Sequence, residues 1–118
     1  MITKKTNEAI DKELARMELR EMFAKQDRPT VYTVLRHVSQ SGMSRDISLF
    51  IVEDNRLRDI TWIAGKALGD KVKEKNGRRV IRVNGCGMDM GFHLVYELAS
   101  VLFSGEERAG YKIRHEWL

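Results

Sequence analysis

This chain of 118 residues has one cysteine, one proline and no long apolar run, and each shortage excludes a kind of organisation. A single cysteine cannot form an internal disulfide, which argues against a small secreted scaffold and fits a reducing cytosol. Because Pro29 is the only proline, no Pro-rich linker divides the chain, and we expect one domain. No apolar run approaches the roughly 18 residues that cross a membrane, and the start of the chain has no apolar signal-peptide core.

The rest of the composition is that of a globular protein with a mildly basic charge. Apolar residues make up 42% of the chain and charged residues 32%, which is enough for one core. The net charge of +4 permits an acidic partner without requiring one. Segment 71–82 contains one acid, Glu74, and its cations are Lys71, Lys73, Lys75, Arg78, Arg79 and Arg82. Such a cluster can contact phosphate, although a short basic run is also typical of a solvated strand and turn.

Apolar periodicity predicts the secondary structure. The first helix stops before Pro29, and its apolar positions are Ile10, Leu14, Met17, Met22 and Phe23. Strands are predicted at 30–38, 47–52, 57–60 and 80–83, and a closing strand near 111–117. A helix over 60–68 ends at Gly69, and a helix over 92–103 is apolar almost all round, so we expect it at the buried centre of the domain.

The order α-β-β-β-α-β-α-β predicts a single α+β domain over residues 1–118. It has a mostly antiparallel sheet of four to five strands, with helices packed on one side. Residues 1–28 are an N-terminal helical extension of the core at 30–118.

Two glycine-bearing polar segments, Ser39–Arg45 and Gly85–Gly91, give the strongest functional signal. Each begins where an apolar run stops, and each holds polar or reactive side chains beside backbone that glycine leaves unshielded. Both follow the carboxyl ends of predicted strands. If strands 30–38 and 80–83 run parallel and close together, the two segments meet at one edge of the sheet.

The first segment, together with the strand end before it, is a candidate binding site. Arg36 and Arg45 offer planar cationic donors, and Gly42 allows a partner's backbone or phosphate to come close. Further candidate contacts are His37, Ser39, Ser41, Met43 and Ser44. The structural alternative is a serine-rich hairpin loop whose hydroxyls satisfy its own backbone.

The second segment has several interpretations. A glycine-rich turn before a helix can bind an anion, but Asp89 at the expected N-cap would take those donors and repel phosphate, so a tight turn capped by Asp89 is favoured. Cys86 could be a nucleophile with His93 as base and Asp89 as orienting carboxylate. A metal site of the same three residues lacks a second cysteine pair, and no metal or cofactor is expected. Met88 and Met90 form either an adaptable contact surface or plugs folded back on the core.

These motifs resemble a known family. The strings Leu35–Arg45 (LRHVSQSGMSR) and Gly85–Phe92 (GCGMDMGF), with the ending Gly110–Leu118, are similar to small bacteriophage proteins. The resemblance covers about residues 30–118 and leaves the N-terminal helix as an addition peculiar to this chain. It implies a phage or prophage origin and the cytoplasm of the bacterial host, but neither an activity nor catalytic residues.

Small phage accessory proteins most often act by binding, so the resemblance favours binding among three hypotheses that the residues allow. The first is a non-enzymatic inhibitor that docks on a host protein or protein–nucleic acid complex, such as a defence nuclease. The N-terminal helix and the methionine-bearing segments would supply the contact. The second is direct nucleic-acid binding through Arg36, Arg45 and segment 71–82. Against it stand the lack of a recognition-helix motif and the scarcity of aromatics for base stacking. The third is a nucleotide-binding or hydrolytic site at the two glycine-bearing segments.

Overall fold

The computed structural model describes residues 3–37, 44–84, 89–103, 105 and 108–118. The helices in these ranges are α1 (Lys4–Ala24), α2 (Thr61–Leu68) and α3 (Met90–Leu102), and a short 3-10 turn lies at Ala109–Tyr111. The strands are β1 (Thr30–His37), β2 (Ser44–Glu53), β3 (Arg56–Asp59), β4 (Val72–Lys75), β5 (Arg78–Asn84) and β6 (Arg114–Trp117). The predicted class, a single α+β domain with a mostly antiparallel sheet, is confirmed.

The strands form one sheet in the order β4-β5-β2-β1-β6, and β3 pairs with the second half of β2. Among the described strands, β6 alone runs parallel to its neighbour, β1. The sheet has six strands where four to five were predicted, because β4 was missed. In the sequence of β4, Val72-Lys73-Glu74-Lys75, one apolar residue stands before three charged ones, so the alternation that indicates a half-buried strand is absent.

One face of the sheet builds the core. Alternate residues of a strand point to opposite faces, and the strand register brings apolar residues together on the face that the helices cover. There Val31 lies opposite Ile51, and Ile47 lies between Leu35 and Ile81. The helices add Leu19, Met22, Phe23, Ala64, Ala67, Leu94, Val95 and Leu98. The N-terminal extension is therefore part of the same core as the rest of the chain.

Helix α1 carries two apolar stripes on opposite sides. Its buried residues are Ala15, Leu19, Met22 and Phe23. Its exposed apolar residues, here called the α1 stripe, are Ile10, Leu14 and Met17. At about 100° per residue the two sets lie on opposite faces of the helix. The sequence prediction joined parts of both sets into one stripe, and only Met22 and Phe23 of that stripe reach the core.

Helix α3 is buried on one side, so the prediction that it is surrounded by core is wrong. Leu94, Val95 and Leu98 face the interior, whereas Phe92 and Tyr96 are about half exposed. By hydropathy alone, these two aromatic residues are assigned to the core. Their i, i+4 spacing places them next to each other on one side of the helix, and that side faces outwards.

Val95→Asp should unfold the domain. Val95 is buried in the face of α3 that meets the core, and an unpaired carboxylate there costs about 3 kcal/mol or more. Glu97→Val, the reverse exchange at an exposed position of the same helix, should change stability by less than about 1 kcal/mol. Thermal and urea unfolding of both variants measure the difference. A native-like transition for Val95→Asp would contradict this packing of α3.

Candidate functional surfaces

The two strands that precede the glycine-bearing segments end at the same edge of the sheet, with one strand between them. Strand β2 runs antiparallel to both β1 and β5, so β1 and β5 run parallel with the start of β2 between them. In the register, Arg45 lies between His37 and Val83, and Ser44 lies opposite Asn84. The two strands therefore meet the parallel condition on which the convergence of the segments depended, and both end at the same edge of the sheet.

Several predicted site residues fall in segments 38–43 and 85–88, outside the described residues: Ser39, Ser41, Gly42, Met43, Cys86 and Met88. His37 closes β1, but its side chain also lies outside what the structure describes. The hydroxyl of Ser44 donates to Asn84 Oδ1 at 3.4 Å, which joins the start of β2 to the end of β5.

Arg36 and Arg45 lie on opposite faces of the sheet. Arg45 shares the face of Ile47, is only 6% exposed, and donates from Nη1 to the carbonyl of Ser44 at 3.0 Å. Arg36 lies opposite Asp46 in the strand register, on the other face, and is partly exposed. The two cations predicted to act together therefore do not form one site, and the guanidinium of Arg45 is held inside the protein.

Asp89 and His93 form an exposed pair at the start of α3. Asp89 occupies the N-cap position, but its carboxylate makes no capping hydrogen bond, so that part of the sequence interpretation is wrong. Instead, Asp89 Oδ2 lies 2.9 Å from His93 Nε2. Met90 is half-buried against the core, as a plug rather than a contact. Within the described ranges, no group of three metal-ligating side chains occurs.

An aromatic surface, defined as Phe92, Tyr96, Tyr111, His115 and Trp117, extends from α3 to β6. The rings of Phe92 and Tyr96 stack with centroids 6.3 Å apart, and those of Phe92 and His115 meet edge-on at 6.1 Å. His115 and Trp117 meet edge-on at 4.8 Å. All but His115 are about half exposed or more. Sequence reasoning missed this surface because it assigned the aromatic residues of α3 to the core. The polar neighbours His93 and Glu97 were the available signal.

Gly91 allows α3 to approach the sheet at this surface. A Cβ atom on Gly91 would lie 2.8 Å from Thr33 Oγ1 and 2.8 Å from the ring of Trp117. Thr33 Oγ1 in turn lies 2.7 Å from His115 Nε2. Burial lowers the pKa of His115 below its ordinary value of 6.5, and the nearby carboxylate of Glu116 offsets this only in part.

The face of the sheet away from the helices, here called the open face, carries more cations than carboxylates. The register and pleat place six cations on it: Arg36, Lys73, Lys75, Arg78, Arg82 and Arg114. Its three carboxylates are Asp46, Asp59 and Glu116. Most of the protein's net charge of +4 therefore lies on this face. Of the predicted basic cluster, Arg79 points the other way and lies over Trp62 at 5.6 Å, and Lys71 precedes β4.

A buried carboxylate organises part of the open face. Asp46 is only 3% exposed and accepts from Arg82 Nε at 3.0 Å, while Lys75 Nζ lies 3.7 Å away. The hydrogen bond to Asp46 raises the pKa of Arg82. Asp46, Arg36 and Lys75 line a concavity of about 150 Å³. Lys73 and Arg78 make no ion pair with any described residue, which leaves both available to an anion.

Comparison with protein-family models, with curated proteins and with solved structures finds no match for this chain. Within the described residues, no helix has the length and apolar character needed to cross a membrane. The surfaces themselves are therefore the basis for a proposed function.

Acidification should destabilise the protein through His115. A folded-state pKa below the unfolded value means that the unfolded chain binds the proton more readily. Stability is therefore full above pH 6.5 and falls as pH drops below it. His115→Gln keeps a side chain that can bond to Thr33 but does not titrate, so its stability should fall less between pH 7 and pH 5. Urea unfolding of both proteins across this range measures the difference, and equal pH profiles would contradict the assignment.

Proposed function

We propose that the protein acts by binding, without catalysing a reaction, and that its ligand is single-stranded nucleic acid held on the open face. The observation that carries the proposal is a sheet face that no described helix covers and that presents six cations together with an aromatic pair. The negatively charged phosphates of a nucleic acid would bind the cations of such a face, and its bases would stack on the aromatic rings.

The aromatic pair is Tyr32 and Phe50. These residues lie directly opposite each other on β1 and β2, and both are partly exposed. Side chains opposite each other in an antiparallel pair have Cβ atoms about 5 Å apart, so these two aromatic side chains are neighbours on the open face and are here called the platform. Single-strand-binding sheets use such platforms because every base has a flat face that can stack.

The cations of the open face lie beyond this platform. In the register, the nearest neighbours of the platform are carboxylates, Glu116 opposite Tyr32 and Asp59 opposite Phe50. Arg114 lies opposite Thr30, and Arg82 and Lys75 lie towards the other edge of the sheet. A strand of nucleic acid crossing the sheet would place bases over the platform and phosphates near the cations further out. Because Arg82 and Lys75 both pair with Asp46, this group keeps a net positive charge.

The structure weakens both sequence-based objections to nucleic-acid binding. The lack of a recognition helix does not count against a protein that presents a sheet, since sheet readers use strands. The scarcity of exposed aromatic residues matters less, because Tyr32 and Phe50 are partly exposed on the open face itself. Arg45, which the hypothesis also included, is buried and has no part in the proposed contact.

Replacing Arg36, Lys73 and Arg78 together with Gln should weaken binding of single-stranded DNA or RNA and reduce its salt dependence. Each lost phosphate contact lowers the slope of log K against log salt by about 0.7 for a single strand, so the change is about two units at most. The matched control replaces Lys5, Lys12 and Lys66, three cations on the helical side, with Gln and removes the same charge. Fluorescence anisotropy over a salt series measures both.

Tyr32→Leu separates stacking from charge in the same assay. Loss of one stacked base should weaken binding about tenfold while the salt slope stays the same. Equal losses in the two charge triples, or no binding by the wild-type protein at low salt, would contradict the proposal.

A second candidate is docking on a host protein, because α1 carries apolar residues that face away from the core. The α1 stripe lies next to a concavity of about 360 Å³ between α1 and α2, which Leu14 and Trp62 help to line. Exposed apolar side chains grouped in this way are typical of a protein contact. The resemblance to phage proteins suggests that the partner is a host defence component that acts on nucleic acid, of the kind that anti-CRISPR or anti-restriction proteins inhibit. It also suggests the bacterial cytoplasm as the location.

Affinity capture from a bacterial lysate, with and without nuclease, distinguishes the two candidates. If the ligand is nucleic acid, nuclease treatment should remove the captured material, and the open-face triple variant should capture less. A protein that stays bound after nuclease treatment and is lost with Leu14→Glu, but not with the open-face triple variant, would establish the second candidate instead.

The hydrolytic hypothesis has less support. Of its proposed residues, the structure brings together Asp89 and His93, and an exposed i, i+4 pair of this kind also forms without any catalytic role. Cys86 lies outside the described residues, so its part in the site stays a prediction.

A further inference from the structure

Strand β6 is an edge strand with an unpaired outer side. Arg114 N donates to Pro29 O at 2.8 Å and Leu118 N to Thr33 O at 2.9 Å, so these residues turn their backbone towards β1. In a parallel strand, alternate residues turn the other way, which directs the N–H and C=O groups of His115 and Trp117 outwards. No described strand pairs with that side.

The edge at β6 lacks the protection seen at the opposite edge of the sheet. Strand β4 carries Lys73 and Lys75, and lysines on an edge strand discourage the addition of another strand. Strand β6 has one cation, Arg114, and one carboxylate, Glu116, on either side of His115. An edge of this kind is a ready template for a further strand, and its charges select which strand fits.

We propose that β6 pairs antiparallel with β6 of a second copy of this chain, centred on His115. The outward-facing backbone groups of the two His115 residues would then exchange hydrogen bonds. The two-fold axis would set Arg114 of each copy opposite Glu116 of the other, which gives two opposite-charge pairs. A register centred on Glu116 would instead set two carboxylates face to face, so charge selects the first register.

The aromatic surface beside β6 favours a second copy of this chain as the partner. Phe92 and Trp117 lie on the helix side of the same edge and are about half exposed. In the register centred on His115, Phe92 lies beside the two-fold axis, because its ring meets that of His115, and Trp117 lies opposite Ile113 of the second copy. Aromatic residues are enriched at protein interfaces. The His115 side chains would not repel each other at neutral pH, because burial lowers their pKa.

The dimer goes beyond the proposed nucleic-acid function and does not depend on it. Pairing at β6 would join two six-stranded sheets into one. Arg114 and Glu116 lie on the open face, so the two open faces would meet at the new pair of strands. A nucleic acid strand could then contact both copies.

Charge exchange at β6 tests the inference by sedimentation velocity over a concentration series. Arg114→Glu and Glu116→Arg should each weaken the dimer about tenfold or more, because each turns two attractive pairs into two repulsive ones. The double variant, R114E with E116R, should restore association to within about threefold of the wild type. A mixture of the two single variants should form heterodimers, since one copy then carries two carboxylates and the other two cations. Lys73→Glu, the same charge reversal on the opposite edge, should have no effect.

Three other outcomes would contradict pairing at β6, and each leads to a different conclusion. Wild-type protein that stays monomeric up to about 1 mM would overturn the inference. A dimer that ignores these exchanges but dissociates with Leu14→Glu would place the interface at the α1 stripe instead. A monomer whose β6 amides become protected only when an extended peptide is added would make a foreign strand the occupant. Circular dichroism is the test that each variant is folded. All substituted residues are exposed, so we expect them to fold.

Discussion

The backbone pairing of β2 is the constraint on which the rest of the structure depends. This ten-residue strand pairs with β1 along one side and with β5 and β3 along the other. Its register sends Ile47, Leu49 and Ile51 towards the helices, and Asp46 and Phe50 to the open face. A slip of one residue would exchange the two sets, burying charge and exposing the core, so the burial of one set fixes the position of the other.

The open face follows from where the helices pack. They pack on one side because that face of the sheet carries the buried apolar residues of the strands, such as Ile47, Leu49 and Ile51, whereas the opposite face keeps a buried carboxylate. A carboxylate as buried as Asp46 is tolerated only with partners, and Arg82 and Lys75 supply them. Arg82 and Lys75 therefore have a structural role, whereas Lys73 and Arg78 form no ion pair with any described residue. A face that must hold cations for its own stability is also suited to hold phosphate.

Strand β6 connects the two surfaces that the proposals use. Its alternating side chains send Arg114 and Glu116 to the open face, and His115 and Trp117 to the aromatic surface beside α3. Gly91 makes this arrangement possible, since any larger residue would push α3 away from Thr33 and Trp117. Nucleic-acid contact on one side of the strand and pairing at its edge are compatible, because a strand added at the edge leaves both faces of the sheet in place.

The sequence by itself determined the elements that local rules govern. Apolar period, turn residues and the left-handed Gly69 located both later helices and five of the six strands, and the chain order gave the α+β class. The spacing of Asp89 and His93 also contained their i, i+4 pair, which the interpretation as a cap overlooked. Only the tertiary structure decided which side of each element is buried. It turned Ile10 and Leu14 outwards, separated Arg36 from Arg45, and exposed Phe92. The reason is physical: a strand acquires an inner and an outer face only when its neighbours pair in register. A helix with two apolar stripes buries the one that fits the surface it meets.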